Sequence, residues 1–222
     1  MINTLEVDSV ILDFGSRRIL QDVYLKSETG KITGLIGGNG SGKSCLMKII
    51  FGELETNNKS VRLNGESFID NRRSTDDLRY LPQYKFVPKY LSIKRIFEDF
   101  ELDYSVFFTE FPTFRRKFKK KFYELSGGEQ RIIEVYLMLV SKSKFCMLDE
   151  PFSHIMPVHI DIFKRLIIRE KENKGIIMTD HLYQNIVDIS DSLYLISEGK
   201  THLTKSVQDL ENLGYIRKIN GS

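Results

Sequence analysis

The segment "GGNGSGKS", residues 37–44, constrains the fold of this 222-residue chain more than any other feature. It fits the pattern G-x-x-x-x-G-K-[ST], with the apolar run "KITGLIG" (31–37) before it and the amphipathic run "SCLMKIIFGEL" (44–54) after it. Glycines let such a loop fold so that backbone N–H groups point at phosphate oxygens, and the next helix adds its N-terminal dipole. The spacing predicts a strand, a phosphate-binding loop and a helix.

Two side chains of this loop suit a nucleotide. Lys43 can reach the β- and γ-phosphates, and the hydroxyl of Ser44 can hold Mg²⁺. A phosphate loop alone does not separate kinases, GTPases, motors and transporters. The predicted nucleotide-binding residues of the loop are Gly37, Gly38, Asn39, Gly40, Ser41, Gly42, Lys43 and Ser44.

The composition is that of a soluble globular protein, with 41% hydrophobic and 28% charged residues. No apolar run approaches the roughly 18 residues that span a bilayer, the longest dense one being "VYLMLV" at 135–140. The first residues, "MINTLEVDSV", carry acids and lack the basic and apolar regions of a signal peptide. We therefore expect a cytoplasmic protein whose membrane role, if any, is peripheral.

Apolar runs alternate with helical patterns through most of the chain. Strands are predicted at 145–149 and 175–180, with a helix around 158–172 between them, and a hairpin at 192–203. This alternation predicts an α/β domain with a largely parallel sheet, flanked by antiparallel strands in the first 26 residues.

Residues 84–124 break this rhythm and are predicted to form a small inserted helical lobe. Within it, "FRRKFKKKFY" (114–123) places six cations around Phe114, Phe118 and Phe122, whose four-residue spacing predicts an amphipathic helix. Three interpretations stay open for this segment: nucleic-acid binding, contact with anionic lipid headgroups, or phenylalanines packed inside with solvated lysines.

A second glycine motif follows the lobe. In "LSGGEQR" (125–131), Ser126 can cap a helix whose N-terminus, at Gly127 and Gly128, favours anions. Taken alone, the motif is also compatible with a simple capped helix.

With "LSGGEQ", the phosphate loop, the glutamine of "RYLPQ", "MLDEP" and a later histidine in this order, the chain resembles the ATP-binding cassette (ABC) ATPases of ABC transporters. The resemblance implies a P-loop NTPase fold with a mainly parallel core sheet, an N-terminal antiparallel β subdomain and an inserted helical lobe. It implies one ATPase domain over 1–222, in which 1–83 and 132–222 form the core and about 84–131 the lobe ending in the signature motif.

The resemblance also assigns roles near "FCMLDE", an apolar strand that delivers two acids to the ligand-binding edge of a parallel sheet. It implies that Asp149 holds Mg²⁺ together with Ser44 and Gln83, and that Glu150 is the catalytic base that activates water. The implied catalytic residues are Glu150, His181, Lys43 and Gln83.

Two further roles concern the nucleotide. Phe14 lies where the family has an aromatic ring that stacks on adenine, although it could equally belong to the core. In the family two cassettes pair head to tail, so that Ser126, Gly127 and Gly128 would contact the γ-phosphate in the partner's site. ATP and Mg²⁺ are the implied cofactors.

The resemblance implies an ATP-hydrolysing subunit that powers a transporter, with a separate chain as the transmembrane permease and a second cassette, identical or not, as dimer partner. The short spacing between "YLPQ" and "LS" favours an export system over an import system. No direct contact with nucleic acid is expected. The alternatives are a soluble ABC ATPase acting on ribosomes or DNA, and a regulatory cassette with weak hydrolysis. The sequence contains neither the second cassette nor the long coiled coil that are typical of soluble ABC ATPases. Intact Lys43, Glu150 and His181 argue against a regulatory cassette with weak hydrolysis.

One stretch departs from the family. In "MLDEPFSHIMP" (147–157), the aspartate that usually crosses the dimer interface falls at Met156, and a small residue falls at His154. Methionine cannot replace the hydrogen bonds of an aspartate. We expect intact chemistry within a site but altered communication between paired sites, or pairing with a non-identical subunit.

Overall fold

The computed structural model describes residues 2–68, 74–204 and 207–215. In chain order the strands are β1 (Thr4–Phe14), β2 (Arg17–Leu20), β3 (Tyr24–Glu28), β4 (Ile32–Gly37), β5 (Asn58–Leu63), β6 (Glu66–Ser67), β7 (Leu78–Leu81), β8 (Phe145–Asp149), β9 (Gly175–Thr179), β10 (Ser192–Ser197) and β11 (Lys200–Thr204). The helices are α1 (Lys43–Phe51), α2 (Ile93–Asp99), α3 (Tyr104–Glu110), α4 (Gly127–Val140), α5 (Pro157–Glu170), α6 (Tyr183–Val187) and α7 (Val207–Asn212). Within the described residues, no helix has both the length and the apolar character needed to cross a membrane.

The larger sheet has the strand order β11-β10-β4-β9-β8-β7, and every pair in it is parallel except β10 with β11. Strands β4, β8 and β9 are buried along their whole length, as expected for central strands covered on both faces. Because parallel strands end at one edge of a sheet, the loops after β4, β7, β8 and β9 meet there. The predicted parallel sheet is confirmed.

A smaller antiparallel sheet has the order β2-β1-β5-β6, with β3 also paired to β1. Along β1 the buried residues are Leu5 and Val7, then Val10 and Leu12, so the two-residue alternation shifts by one position. A bulge explains the shift, since the register with β5 slips between Asp8 and Ile11 and Ser9 has a left-handed φ of 57°. Both halves of the long strand thereby bury the same face.

The core consists of two apolar layers on opposite faces of the parallel sheet. Along β8, Cys146 and Leu148 belong to the layer formed with α4, α5 and the lobe, whereas Phe145 and Met147 belong to the layer formed with α1 and the antiparallel sheet. The alternation follows from the pleat of a strand, which points successive side chains to opposite faces.

The inserted lobe contains α2, α3 and two 3-10 helices, Pro112–Lys117 and Phe122–Glu124. The prediction of one amphipathic helix across 114–123 is wrong, because this backbone pairs with a distant segment instead: Ile93 N–H donates to Lys120 O at 3.1 Å and Phe122 N–H to Leu91 O at 2.8 Å. The buried aromatic rings explain this choice, since Phe114 and Phe122 are 1% and 0% exposed. The structure favours the interpretation in which the phenylalanines pack inside.

Candidate functional site

The phosphate loop joins the end of β4 to the start of α1. Two of its glycines adopt left-handed conformations, with φ of 75° at Gly40 and 105° at Gly42. At Gly42 the backbone conformation favours glycine, and a Cβ would lie 2.8 Å from the Leu20 Cδ2 atom, so the Leu20 side chain would also have to move. The helix that follows is anchored because Leu46 and Ile50 are completely buried. The loop thus connects a buried strand to a helix whose inner face is buried.

The amino group of Lys43 is held inside this loop. Its Nζ donates to the carbonyl oxygens of Gly37 at 2.8 Å and Gly38 at 3.1 Å, and the side chain is mostly buried. Burial lowers the pKa of Lys43 from its usual value, while the negative charges of Glu150 and Asp149 oppose that shift. The cation is therefore fixed at the point where the acidic residues face the loop.

Asp149 is completely buried and accepts hydrogen bonds from three residues, one at the start of α1 and two at or just after the end of β7. Ser44 Oγ donates to its Oδ1 at 3.1 Å, Gln83 Nε2 lies 3.3 Å from the same atom, and the Tyr80 hydroxyl donates to its Oδ2 at 3.1 Å. Burial raises the pKa of Asp149, and these hydrogen bonds counteract the rise. The hydroxyl of Ser44 and the carboxylate of Asp149 are oxygen ligands of the kind that Mg²⁺ prefers, so these residues fit this ion. Gln83 presents its Nε2 here, and its side-chain oxygen would face a metal only after the amide turns.

Glu150 is held in a left-handed conformation with φ of 51°, which is unfavourable for a side chain other than glycine. Its backbone N–H donates to Thr179 O at 3.0 Å. Its carboxylate receives Gln83 Nε2 at 2.8 Å on Oε1, and His181 Nε2 lies 2.7 Å from Oε2. The turn after β8 therefore aims Glu150 at the residues that follow β7 and β9.

Arg131 connects α4 to this edge of the sheet. Apart from its position after "LSGGEQ", no sequence pattern predicts this role. Its guanidinium donates to the carbonyl oxygens of Pro82 (2.8 Å), Asp149 (2.9 Å) and Glu150 (3.0 Å). The side chain is 6% exposed, and burial lowers its pKa while the carboxylate of Glu134 opposes the shift. Arg131 thus stabilises the strained backbone of Glu150 through a hydrogen bond to its carbonyl oxygen.

Most of the predicted residues share one cleft of about 440 Å³. Its lining includes the predicted residues Phe14, Asn39, Gly40, Gly42, Lys43, Ser44, Gln83, Glu150 and His181. Gly37, Gly38 and Ser41 belong to the same loop. Arg17, Ile19 and Cys45 also line the cleft, and no motif in the sequence points to them.

The ring of Phe14 is 53% exposed at this cleft, so the alternative that places it in the core is wrong. An exposed ring at the rim of a cleft offers a face for stacking, as the adenine-binding hypothesis requires.

The signature residues lie elsewhere, at the N-terminus of α4. Ser126 Oγ accepts the backbone N–H of Glu129 at 3.3 Å, and Glu129 Oε2 accepts that of Ser126 at 3.0 Å, which forms a capping box. Gly127 borders a different cleft, of about 410 Å³, together with Arg131, Glu150 and His154. The fold therefore does not bring the signature residues to the chain's own phosphate loop.

A family model described as ABC transporter matches residues 20–153, which is more than half of the chain. The chain belongs to the ABC transporter family. This confirms the resemblance drawn from the motifs, and it makes the protein an ATPase of the ABC type.

Known relatives of this ABC ATPase are ATP-binding subunits of transporters. The "Lipopolysaccharide export system ATP-binding protein LptB" of Haemophilus influenzae is 24% identical over 98% of this chain and 97% of its own length. The "Probable branched-chain amino acid transport ATP-binding protein LivF" of Archaeoglobus fulgidus is 31% identical over 86% and 87%, respectively. Both match this chain over most of their own length.

Solved structures show the same fold. An "ATP binding subunit of ABC transporter" is similar with a TM-score of 0.78 at 21% identity, covering 96% of this chain and 94% of the other. A "bacterial Atm1-family ABC exporter with ATP bound" is similar with a TM-score of 0.81 at 17% identity, covering 96% of this chain and 40% of the other. The predicted fold class of this ABC ATPase is confirmed.

Proposed function

We propose that this ABC ATPase is the subunit that binds and hydrolyses ATP to power a transporter whose membrane-spanning part is a separate chain. The observation that carries the proposal is one cleft in which Lys43 and Ser44 face Glu150 and His181. Phosphoryl transfer depends mainly on positioning and charge stabilisation, and these residues come from three loops that the fold holds together.

We assign the bound nucleotide to this cleft, with Lys43 and the loop N–H groups holding its phosphates and Phe14 stacking on its base. Ser44, Gln83 and Asp149 would hold Mg²⁺, which neutralises phosphate charge when bound. Glu150 would orient a water molecule and accept its proton, since its carboxylate opens onto the cleft and is hydrogen-bonded on both oxygens. His181 would hold Glu150 in this orientation.

A Glu150→Gln variant tests the catalytic assignment. We expect nucleotide binding within about twofold of the parent but turnover lower by about 10²–10⁴-fold, because the amide cannot take a proton. Glu198→Gln is a matched control: Glu198 has the same left-handed φ of 51° but lies in the exposed turn between β10 and β11. Equal ATP turnover by the parent and the Glu150 variant would exclude Glu150 as the base.

The geometry and the relatives support the proposed partners. Because Ser126, Gly127 and Gly128 lie outside the chain's own cleft, we propose that they complete the site of a second cassette, in a homodimer or heterodimer. Names of relatives include both lipopolysaccharide export and branched-chain amino acid transport, so the lean towards export stays a prediction. Attachment to the cytoplasmic face of the membrane would come from the permease.

Purification in mild detergent distinguishes this proposal from a soluble role. We expect a polytopic membrane protein to co-purify with the tagged chain. Recovery of ribosomes or DNA in its place would favour the soluble alternative and count against the transporter subunit.

A further inference from the structure

The basic segment 115–121 contains one lysine that differs from its neighbours. Lys117 is half-buried and forms an ion pair with Glu129, joining Oε1 of that carboxylate. The other five cations, Arg115, Arg116, Lys119, Lys120 and Lys121, are exposed, and within the described residues they form no ion pair. The segment is therefore not uniform, and one of its charges serves a contact inside the protein.

The partner of Lys117 is the third residue of α4. The other oxygen of Glu129, Oε2, accepts the Ser126 N–H at 3.0 Å and the Ser126 hydroxyl at 3.1 Å. Burial raises the pKa of Glu129, but the hydrogen bonds from Lys117 and Ser126 outweigh it, so the pKa lies below its usual value. Glu129 is thus ionised, with both of its oxygens engaged.

An ionised carboxylate at this place has an electrostatic consequence. The N-terminus of α4 attracts anions through its free N–H groups and dipole, but Glu129 adds a full negative charge to the same helical turn. A polyphosphate approaching Ser126 and Gly127 would be repelled by that charge, and the repulsion is weakly screened at such short range. The ammonium group of Lys117 cancels it.

Lys117 is also fixed by the lobe that carries it. It ends the 3-10 helix Pro112–Lys117, which is anchored by the completely packed ring of Phe114. The preceding helix, α3, is tied to α5 by an ion pair of 3.2 Å between Glu110 and Arg169. The buried ring of Phe114 therefore holds the short helix that ends at Lys117 against the protein, next to Glu129.

We propose that Lys117 is a positioning residue of the signature motif, which neutralises and orients Glu129 so that the N-terminus of α4 can receive the polyphosphate of a nucleoside triphosphate carried by a second cassette. The inference rests on the proposed function, because it takes the signature residues to act on a partner's nucleotide. It assigns to one member of the basic segment a role that requires neither lipid nor nucleic acid.

The test uses the full chain with three variants, Lys117→Gln, Glu129→Gln and the double variant, and Lys119→Gln as a control from the same segment. We expect Lys117→Gln to raise the ATP concentration for half-maximal turnover roughly 5–10-fold, the scale of one uncompensated nearby charge. Direct binding of a fluorescent ATP analogue should change by less than about twofold, because the chain's own phosphate loop is untouched. Lys119→Gln should match the parent in both measurements.

The double variant provides the decisive comparison. If Lys117 acts through the charge of Glu129, Glu129→Gln should restore the Lys117→Gln chain to within about twofold of the Glu129→Gln chain, since glutamine keeps the capping box and removes the charge. A double variant as impaired as Lys117→Gln, or a Lys117→Gln chain that behaves like Lys119→Gln, would overturn the inference. Lys117→Arg, which keeps the charge, should turn over ATP like the parent.

ATP binding and hydrolysis by the parent chain distinguish a failure of the inference about Lys117 from a failure of the proposed function. If the parent binds and hydrolyses ATP while Lys117→Gln is unaffected, only the inference about Lys117 fails. If the parent neither binds nor hydrolyses ATP, the proposed function fails and the role of Lys117 fails with it.

Discussion

At the scale of single residues, the site depends on carboxylates that are held by groups to which the sequence analysis assigns no role. Asp149 receives the Tyr80 hydroxyl, and the backbone of Glu150 receives the guanidinium of Arg131. The Tyr80 ring is 5% exposed, and burial raises the pKa of its hydroxyl further above its usual value, so the group stays protonated and can donate. Tyr80 therefore fixes one oxygen of Asp149 and leaves the other turned towards Ser44.

Removing that hydroxyl tests its role in metal binding. In Tyr80→Phe we expect the Mg²⁺ concentration needed for half-maximal ATP binding to rise by about tenfold, because partners that orient a metal ligand typically contribute this much. Titration of Mg²⁺ against binding of a fluorescent ATP analogue measures the effect independently of turnover.

Tyr194→Phe is the control, since Tyr194 is 4% exposed and its hydroxyl accepts the Lys26 N–H at 3.2 Å, within the core contacts of β10. An equal requirement for Mg²⁺ in both variants would show that Tyr80 acts only through packing.

At the scale of elements, α4 connects the signature to the catalytic edge of the sheet. It begins at Gly127 and continues without a break through position 131, so the domain boundary expected there falls inside a helix. Its first two residues differ in surroundings: a Cβ on Gly128 would lie 2.7 Å from the carbonyl oxygen of His154, whereas one on Gly127 would meet nothing within 4 Å. Gly128 is thus required for packing against the turn after β8, and Gly127 faces open space.

Substituting alanine for Gly127 and for Gly128 separates the packing role of Gly128 from the proposed contact between Gly127 and a partner's phosphate. We expect Gly128→Ala to lower the free energy of unfolding by about 1–3 kcal/mol, because the added methyl group overpacks the turn at His154. Gly127→Ala should leave it unchanged or raise it slightly, since alanine is the better helix former.

Urea denaturation measures both effects. If Gly127 docks a partner's phosphate as proposed, Gly127→Ala should still raise the ATP concentration for half-maximal turnover. Equal losses of stability in the two variants would contradict the packing role of Gly128.

At the scale of the whole molecule, the signature residues do not line the nucleotide cleft, and Gly127 borders a neighbouring cleft that shares Gln83 and Glu150 with it. For this reason function requires a second cassette in our proposal. Met156, at the position where the family has an aspartate, is 61% exposed and occupies the N-cap of α5 without a side-chain hydrogen bond to the helix. The residue is therefore available for contact with a partner, but it offers no oxygen to one.

Met156→Asp and Met156→Ser separate two effects of an oxygen at this position. Both should raise the free energy of unfolding by about 1 kcal/mol, because either side chain can cap α5. Only the aspartate should strengthen cooperativity in ATP turnover and ATP-dependent dimerisation, because only it supplies the charged acceptor.

Steady-state kinetics and sedimentation would measure these changes. Unchanged cooperativity and dimerisation in Met156→Asp would argue against altered communication between sites as the consequence of this methionine.

The sequence by itself determined the chain's local elements and the chemistry of its motifs. Glycines with positive φ, apolar runs and turn residues act over a few positions, so the phosphate loop, the parallel strands and the acids after β8 could be predicted. Only the tertiary structure decided contacts between distant segments. It brought Arg131 to three carbonyl groups and joined Lys117 to Glu129. It also paired the backbone of residues 118–123 with that of residues 89–94, in place of the predicted helix. Local periodicity could not foresee these contacts, because burial of aromatic rings and satisfaction of buried charges depend on partners that only the folded chain supplies.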